Sequence, residues 1–176
     1  RPALADHLLS LSAPRAAARL MPSVVVARAT QDFAVPAAPV RLVDSAASAT
    51  DFTEAMERLL LRRSTVGFDA EWRPDAHGVR SEPSLLQLAE DSGDVWLLDV
   101  ASTPAPPLAA LHSVMASDAV RVLGFGFAAD FERCRFPVAR RVVDLRDACA
   151  SASASGTARG LAAELAQHAG LRLDKT

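Results

Sequence analysis

Two acidic side chains, Asp69 and Glu71, directly follow the apolar stretch TVGF at residues 65–68. Side chains alternate across a β-strand, so a strand through these residues would project both carboxylates to one face and Ala70 to the other. Two like charges that close repel each other, and burying either one without a partner is costly. We therefore expect a cation between these carboxylates, or water that reaches both.

A third carboxylate, Asp130, follows the stretch LGFGFAA at residues 123–129. It falls in the first turn of a predicted helix, where an acid also has a purely structural explanation, because it complements the positive helix N-terminus. Open α/β sheets, however, place their sites where strands give way to loops and helices. Asp130, Asp69 and Glu71 together, with no fixed cation in their motifs, favour Mg²⁺ or Mn²⁺ bound through oxygen. Two such ions about 4 Å apart can activate water and stabilise the leaving oxygen in phosphodiester cleavage.

The elements that would position these acids follow an α/β pattern with a mixed sheet. PSLLQLAE and VWLLDV predict a hairpin that turns at residues 91–94. Asp51 is the predicted N-cap of the first helix, and Gly170 the predicted C-terminal residue of the last one. Strands are expected at residues 40–43, 65–71, 83–90, 95–100, 119–127 and within 140–150, and the other helices at 108–117 and from 128. The segment after the last strand is expected to be a turn.

The chain is expected to comprise one domain and a flanking segment. Residues 1–39 predict a helical stretch that Pro14 interrupts, then a strand-like stretch and a Pro/Ala linker, and the domain itself is predicted at 40–176. The start, RPALADHLLS, has no Met and no signal-peptide core, so we expect an excised fragment.

The composition excludes several classes of protein. The 176 residues are half hydrophobic with a net charge of -2, so charge alone makes no case for nucleic acid. No apolar run approaches the roughly 20 residues that span a bilayer, so no membrane partner is expected. Cys134 and Cys149 are too few for a disulfide framework or a zinc site and predict two buried free thiols, which fits a reducing intracellular compartment.

Six segments of the chain, taken in order, carry a resemblance to a known family. They are VGFDAEW, PSLLQLA with VWLLDV, LGFGFAADFERC, VVDLRDAC and GLAAELAQHAGLRLDKT. Together they resemble the ribonuclease D-like 3′–5′ exonucleases of the DEDD superfamily, and most of all the mutator-type (mut-seven-like) branch. The resemblance covers roughly residues 40–176 and implies a ribonuclease H-like fold. It also implies that Asp69 and Glu71 form the first exonuclease motif and Asp130 the second, as catalytic and metal-binding residues for two Mg²⁺ or Mn²⁺ ions.

The chain departs from the family at its third motif, a Tyr or His that orients the nucleophilic water, followed four residues later by a metal-binding Asp. There is no Tyr, and none of the four histidines has an Asp four residues on. Since the family places this motif shortly after LDKT, we expect a truncation before the catalytic helix, and an inactive fragment. Two hypotheses stay open: an exonuclease acting on the 3′ end of RNA or single-stranded DNA, or a non-catalytic interaction module that kept the fold.

Other polar and aromatic residues allow both a functional and a structural interpretation. Trp72 is a candidate for stacking on a terminal base, although a core position is also typical of Trp. Gly124 and Gly126 could bring the backbone close to substrate, but they lack the rest of a dinucleotide-binding fingerprint. Further candidates are Arg73, Arg80 and Arg133 as phosphate contacts or surface charges, Gln87 as a neighbour of the acids, Asp99 as a turn residue, Asp144 as a cap, and Phe125 and Phe127 as core residues.

Overall fold

The computed structural model describes residues 31–32, 39–137, 141–152 and 159–173. The predicted helical stretch at 1–22 and most of the linker lie outside the described residues. In chain order the elements are β1 (Gln31–Asp32), β2 (Val40–Val43), α1 (Ala46–Arg62), β3 (Thr65–Trp72), β4 (Pro83–Glu90), β5 (Val95–Asp99), α2 (Ala105–Ala116), β6 (Arg121–Gly124), α3 (Ala128–Cys134), β7 (Val142–Asp144), α4 (Leu145–Ala152), α5 (Leu161–Ala169) and β8 (Leu171–Arg172).

Six strands form one mixed sheet in the order β2-β5-β4-β3-β6-β7. The predicted hairpin is confirmed, because β4 and β5 pair antiparallel and the Glu90 N–H donates to the Asp94 carbonyl at 2.8 Å. Strand β3 is antiparallel to β4 on one side and parallel to β6 on the other. Because β3 and β6 are parallel neighbours, their carboxyl ends meet at the same edge of the sheet. A separate two-stranded sheet pairs β1 with β8 in parallel.

The first helix begins earlier than predicted. Its N-cap is Ser45, whose side chain accepts from the Ser48 N–H at 3.2 Å, while the Ser48 hydroxyl accepts from the Ser45 N–H at 3.0 Å. This reciprocal capping box satisfies two donors that a helix start leaves without partners. The prediction that Asp51 caps the helix is therefore wrong, because Asp51 lies inside it.

Three other element predictions also need correction. Helix α2 begins at Ala105, so two prolines lie inside its first turn, where the missing N–H costs nothing. Strand β6 ends at Gly124, before the predicted limit at residue 127. The predicted turn after β7 is helix α4, for which Asp144 is the cap: its Oδ1 accepts from the Arg146 N–H at 2.9 Å.

The described residues form two compact units. One unit contains the described residues from 39 to 143, and the other contains 31–32 together with 144–152 and 159–173. The core of the first unit consists of aliphatic and aromatic side chains from α1, α2 and the sheet, among them Phe52, Met56, Val66, Leu88, Leu98, Leu111, Met115 and Val122. No helix in the described part of the chain is long and apolar enough to cross a bilayer.

Candidate active site

The alternation of β3 places the first two acids side by side on one face. Val66, Phe68 and Ala70 are buried on the opposite face, whereas Asp69 and Glu71 are both exposed. The Asp69 Oδ1 atom accepts a hydrogen bond of 3.0 Å from the N–H of the next residue, Ala70. Since solvent reaches both carboxylates, their charges are tolerated without a buried counter-charge.

Gln87 is the neighbour of Asp69 across the sheet. In the antiparallel pairing of β3 with β4, Gln87 lies opposite Asp69 and Leu85 lies opposite Glu71. Directly opposed residues of two antiparallel strands project to the same face. The Gln87 amide therefore shares the face of the two carboxylates, as the sequence interpretation of this residue as a polar neighbour requires.

Asp130 approaches the same edge of the sheet from the next element along the chain. It occupies the third position of α3, which starts four residues after the end of β6, the parallel neighbour of β3. Its side chain is buried, with a relative exposure of 6 %. A carboxylate in this turn is also favoured by the partial positive charge of the helix N-terminus.

Aromatic rings tie the strand of the first two acids to the helix of the third. Phe68, which precedes Asp69, packs edge-to-face on Phe131, which follows Asp130, with ring centroids 5.9 Å apart. Phe136 contacts both rings, at 5.4 and 5.5 Å. The two acidic backbone positions are therefore held on either side of one aromatic cluster.

The donor set of Asp69, Glu71 and Asp130 fits a hard divalent cation, because it offers only carboxylate oxygens. The side chains of Asp69 and Glu71 are open to solvent. The oxygens of these three acids do not all lie within 4.8 Å of one another. Mg²⁺ is typically held by one or two carboxylates plus water and substrate phosphate. Such a site does not require all three acids to converge on one point.

Salt bridges connect the segment from Arg73 to Glu82 to α3 and to Arg135, the residue that follows this helix. Arg133 forms a two-pronged pair with Asp75, with both N···O distances 2.9 Å, and also donates to the Ser81 carbonyl at 2.7 Å. Arg80 pairs with Glu132 at 2.8 Å, and Arg135 pairs with Glu82 at 3.0 Å. The chain that leaves Glu71 is thus held against the helix that carries Asp130.

Arg133 and Trp72 form the inner part of this attachment. The Arg133 side chain is only 11 % exposed, and its guanidinium lies 4.5 Å from the centre of the Trp72 ring. The interpretation of Arg133 as a solvated surface charge is therefore wrong. Trp72 is half-buried, and one of its ring faces is covered by Arg133 rather than open to a base. Sequence reasoning missed this pair because Asp75 and Arg133 are 58 residues apart.

The surroundings of Asp75 and Cys134 shift the pKa values of both side chains. Hydrogen bonds from Arg133 and from the Ser81 backbone lower the pKa of Asp75 to about 2. Burial, with the nearby negative charge of Asp130 as the second cause, raises the pKa of the Cys134 thiol to about 12. Cys134 and Cys149 are both free, but Cys134 is half-buried rather than buried as predicted.

Gly124, the last residue of β6, and Gly126 each have a structural reason to be glycine. A Cβ atom at Gly124 would lie 2.5 Å from the ring of Phe127, so a side chain there would overlap that buried ring. Gly126 has a φ of 70°, which L-residues rarely adopt. Phe127 is a core residue as predicted, whereas Phe125 is half-exposed. Asp99 is a turn residue as expected, because its carboxylate accepts from the Ala101 N–H and the Ser102 hydroxyl, both at 3.0 Å.

No family model matches the chain, and no curated protein matches it. Several solved structures, however, are similar to the chain. Trypanosoma brucei RNase D in complex with GMP is similar over 78% of this chain and 44% of its own, with 23% identity and a TM-score of 0.62. Escherichia coli RNase D, an exoribonuclease involved in structured RNA processing, matches over 78% of this chain and 35% of its own, with 14% identity and a TM-score of 0.64. The T. brucei enzyme in complex with RNA U12 matches 64% of this chain and 39% of its own, with 25% identity and a TM-score of 0.52.

The chain thus spans less than half the length of the ribonucleases D that it matches. At these identities the likeness establishes the fold. The six-stranded mixed sheet with its flanking helices matches the ribonuclease H-like folds of these proteins, so the predicted ribonuclease H-like α/β class is confirmed. The assignment to the mutator-type branch stays a prediction. The chain has the fold of ribonuclease D, as the resemblance of its motifs implied.

Proposed function

We propose that this chain carries the metal-binding part of a 3′–5′ exonuclease that hydrolyses phosphodiester bonds at the 3′ end of RNA or single-stranded DNA. One observation carries the proposal: in a ribonuclease D fold, Asp69 and Glu71 lie exposed on one face of β3, and Asp130 follows its parallel neighbour. Packing does not require exposed acids at adjacent same-face positions, because like charges there repel.

Asp69, Glu71 and Asp130 would hold Mg²⁺ or Mn²⁺, which supplies an activated water and offsets the charge on the leaving oxygen. The protein's own contribution is to keep these carboxylates in place. The Phe68–Phe131 contact fixes the backbone beside two of them, and the Arg133–Asp75 pair fixes the chain that leaves the third. Gln87 adds an amide on the same face, where it can bind a sugar hydroxyl or a phosphate oxygen.

Nucleic acid is the proposed partner because the ribonucleases D that share the fold act on it. The T. brucei enzyme has been captured with RNA U12 and with GMP, a single nucleotide of the kind that stepwise cleavage releases. With a net charge of -2, binding to this chain would depend on the metal site rather than on a basic surface. A metal that neutralises the carboxylates lets a phosphate approach them.

The third motif is the part of the machinery that residues 1–176 do not contain, since they have no Tyr and no His followed four residues later by Asp. We therefore propose that residues 1–176 alone cleave negligibly. The test joins Thr176 to a helix carrying Tyr-x-x-x-Asp or His-x-x-x-Asp and supplies Mn²⁺ with a 5′-labelled single strand. A ladder shortening from the 3′ end, blocked by a 3′-terminal phosphate and lost in Asp69→Asn, is the expected result.

A second candidate is a non-catalytic module that binds nucleic acid or protein. The spacing of the three acids favours it, because no three carboxylates among the described residues offer oxygens that all lie within 4.8 Å of one another. If the protein extended by the third-motif helix binds Mn²⁺ but leaves the 3′ ends of the labelled strand intact, the result would support the non-catalytic module and exclude the exonuclease.

A further inference from the structure

Three side chains of different chemistry converge in the unit that contains α4 and α5. The Cys149 sulfur, a Glu164 carboxylate oxygen and a His168 ring nitrogen all lie within 4.8 Å of one another. No other group of three donors this close together occurs among the described residues. The group contains none of the acids proposed for the exonuclease site.

Both helices turn these donors inward. Glu164 and His168 are four residues apart on α5 and therefore share one face of that helix. Cys149 comes from α4 and is 5 % exposed, as is Glu164, while the His168 side chain is 25 % exposed. The group is thus enclosed on the side of the thiol and the carboxylate and reachable from solvent past the imidazole.

Hydrogen bonds link the three side chains through Glu164. Glu164 Oε1 accepts from the Arg159 N–H at 2.8 Å, and Oε2 lies 3.2 Å from His168 Nε2. The Cys149 thiol hydrogen-bonds to the same carboxylate, and burial together with the charge of Glu164 raises its pKa. One buried carboxylate therefore already aligns a thiol and an imidazole that both point at it.

Thiolate, imidazole and carboxylate are the ligand types of Zn²⁺, usually in tetrahedral geometry. With bonds of about 2.0–2.3 Å, neighbouring donors of such a site lie roughly 3.4–3.6 Å apart. The Glu164–His168 distance of 3.2 Å is close to that spacing. Because all three donors lie within 4.8 Å of one another, a closure of no more than about 1.4 Å would bring them to the spacing of a three-ligand site. The negative charge of Asp144, which acts on Cys149, further favours a cation.

We propose that Cys149, Glu164 and His168 bind Zn²⁺ or a similar borderline divalent ion, with solvent as the fourth ligand. On binding, a sulfur–metal bond replaces the S–H bond, and the thiol proton passes to solvent. The imidazole binds in its neutral form, so the proton that His168 Nε2 shares with Glu164 moves to the other ring nitrogen or to solvent. The soft sulfur and the imidazole select against Mg²⁺ and Mn²⁺, the ions expected at Asp69. The two sites therefore take different metals on one chain.

Co²⁺ provides a direct probe, because a bound thiolate gives an intense near-ultraviolet charge-transfer band that oxygen ligands cannot produce. Co²⁺ titration of residues 1–176 is expected to raise this band to one equivalent, and Zn²⁺ to displace it. Cys149→Ser should abolish the band, whereas Cys134→Ser, which alters the other free thiol, should keep it. His168→Ala removes a partly exposed ligand, and we expect it to lower the Zn²⁺ affinity at least about tenfold.

No band at saturating Co²⁺, or a band that persists in Cys149→Ser, would overturn the proposal. Circular dichroism of each variant checks that its helices are intact, and His168→Ala serves where a change at a buried position disturbs folding. The carboxylate site contains no sulfur, so failure of the exonuclease hypothesis would leave the band unchanged. Conversely, loss of the band would leave Mn²⁺ binding at Asp69 unaffected.

Discussion

Replacing Arg133 with alanine should destabilise the protein more than replacing any other arginine that fastens residues 73–82 to α3. The Arg133 side chain is 11 % exposed, donates to the Ser81 carbonyl at 2.7 Å and stacks on Trp72 at 4.5 Å. A hydrogen bond from a charged donor contributes about 1.5 kcal/mol or more, and the stacked cation about 0.5–1 kcal/mol. The pair with Asp75 adds little to this sum, because that carboxylate is solvent-exposed and its charge is screened.

The expected loss for Arg133→Ala is therefore about 2 kcal/mol, or roughly 4–8 °C in Tm for a chain of this size. In the wild-type protein, the Arg133 Nε atom is buried without a hydrogen-bond partner among the described residues, which costs desolvation free energy. Because the substitution also removes this cost, we do not expect a loss of stability above about 2 kcal/mol. The stability of Arg133→Lys should fall between those of wild type and Arg133→Ala, because an ammonium keeps the charge but cannot stack on Trp72 as the planar guanidinium does.

Urea unfolding followed by tryptophan fluorescence and by circular dichroism measures this difference. Arg80→Ala is the matched control: it also removes a salt bridge to α3, but Arg80 is 48 % and Glu132 57 % exposed, so no resolvable change is expected. Equal losses for Arg133→Ala and Arg80→Ala would refute the reasoning, as would a loss under about 0.5 kcal/mol for Arg133→Ala.

Two further predictions concern a titrating group and a packing contact. The folded pKa of Asp75 is about 2, below its ordinary 3.8, so its stabilisation is present above about pH 4 and lost as the pH falls to 2. Asp75→Asn should lower the urea midpoint at pH 7 but not near pH 2, and an equal effect at both would contradict the Arg133 contact. Gly124→Ala should cost about 1–3 kcal/mol, because its Cβ would lie 2.5 Å from the Phe127 ring. Gly67→Ala, whose Cβ would meet Ala89 at 3.7 Å, should be neutral or slightly stabilising in the same unfolding assay.

The sequence was sufficient to predict the strand that carries the first two acids. Apolar residues alternate with the acids through β3, so the period of two fixes both the element and the face of Asp69 and Glu71. The hairpin of β4 and β5 was equally predictable, because two apolar runs flank a Gly- and Asp-containing turn. In contrast, the start of α1 was missed. Ser45 and Asp51 are both good capping residues, and only the contacts of Ser48 distinguish them.

Contacts between residues distant in the chain could not be predicted. The pairing of Arg133 with Asp75 joins residues 58 positions apart, and a single sequence gives no signal for such a pair. The Glu164–His168 spacing on α5 was visible as a four-residue interval, but Cys149 joins it only through the packing of α4. Gly124 was given a substrate-related explanation, whereas its need for glycine comes from the ring of Phe127 three residues later.

The central claim is that Asp69, Glu71 and Asp130 bind divalent metal, and calorimetric titration of residues 1–176 with Mn²⁺ tests it most directly. Cys149→Ser provides the background, so that the thiol group does not contribute, and Asp99→Asn is the control for an acid in a strand-end turn. Because the chain contains no third motif, we expect weak binding of Mn²⁺, weaker still for Mg²⁺, and no stable pair of ions. Asp69→Asn should abolish that binding while Asp99→Asn leaves it unchanged. Tight binding of two ions, or binding that survives Asp69→Asn, would contradict the proposed site.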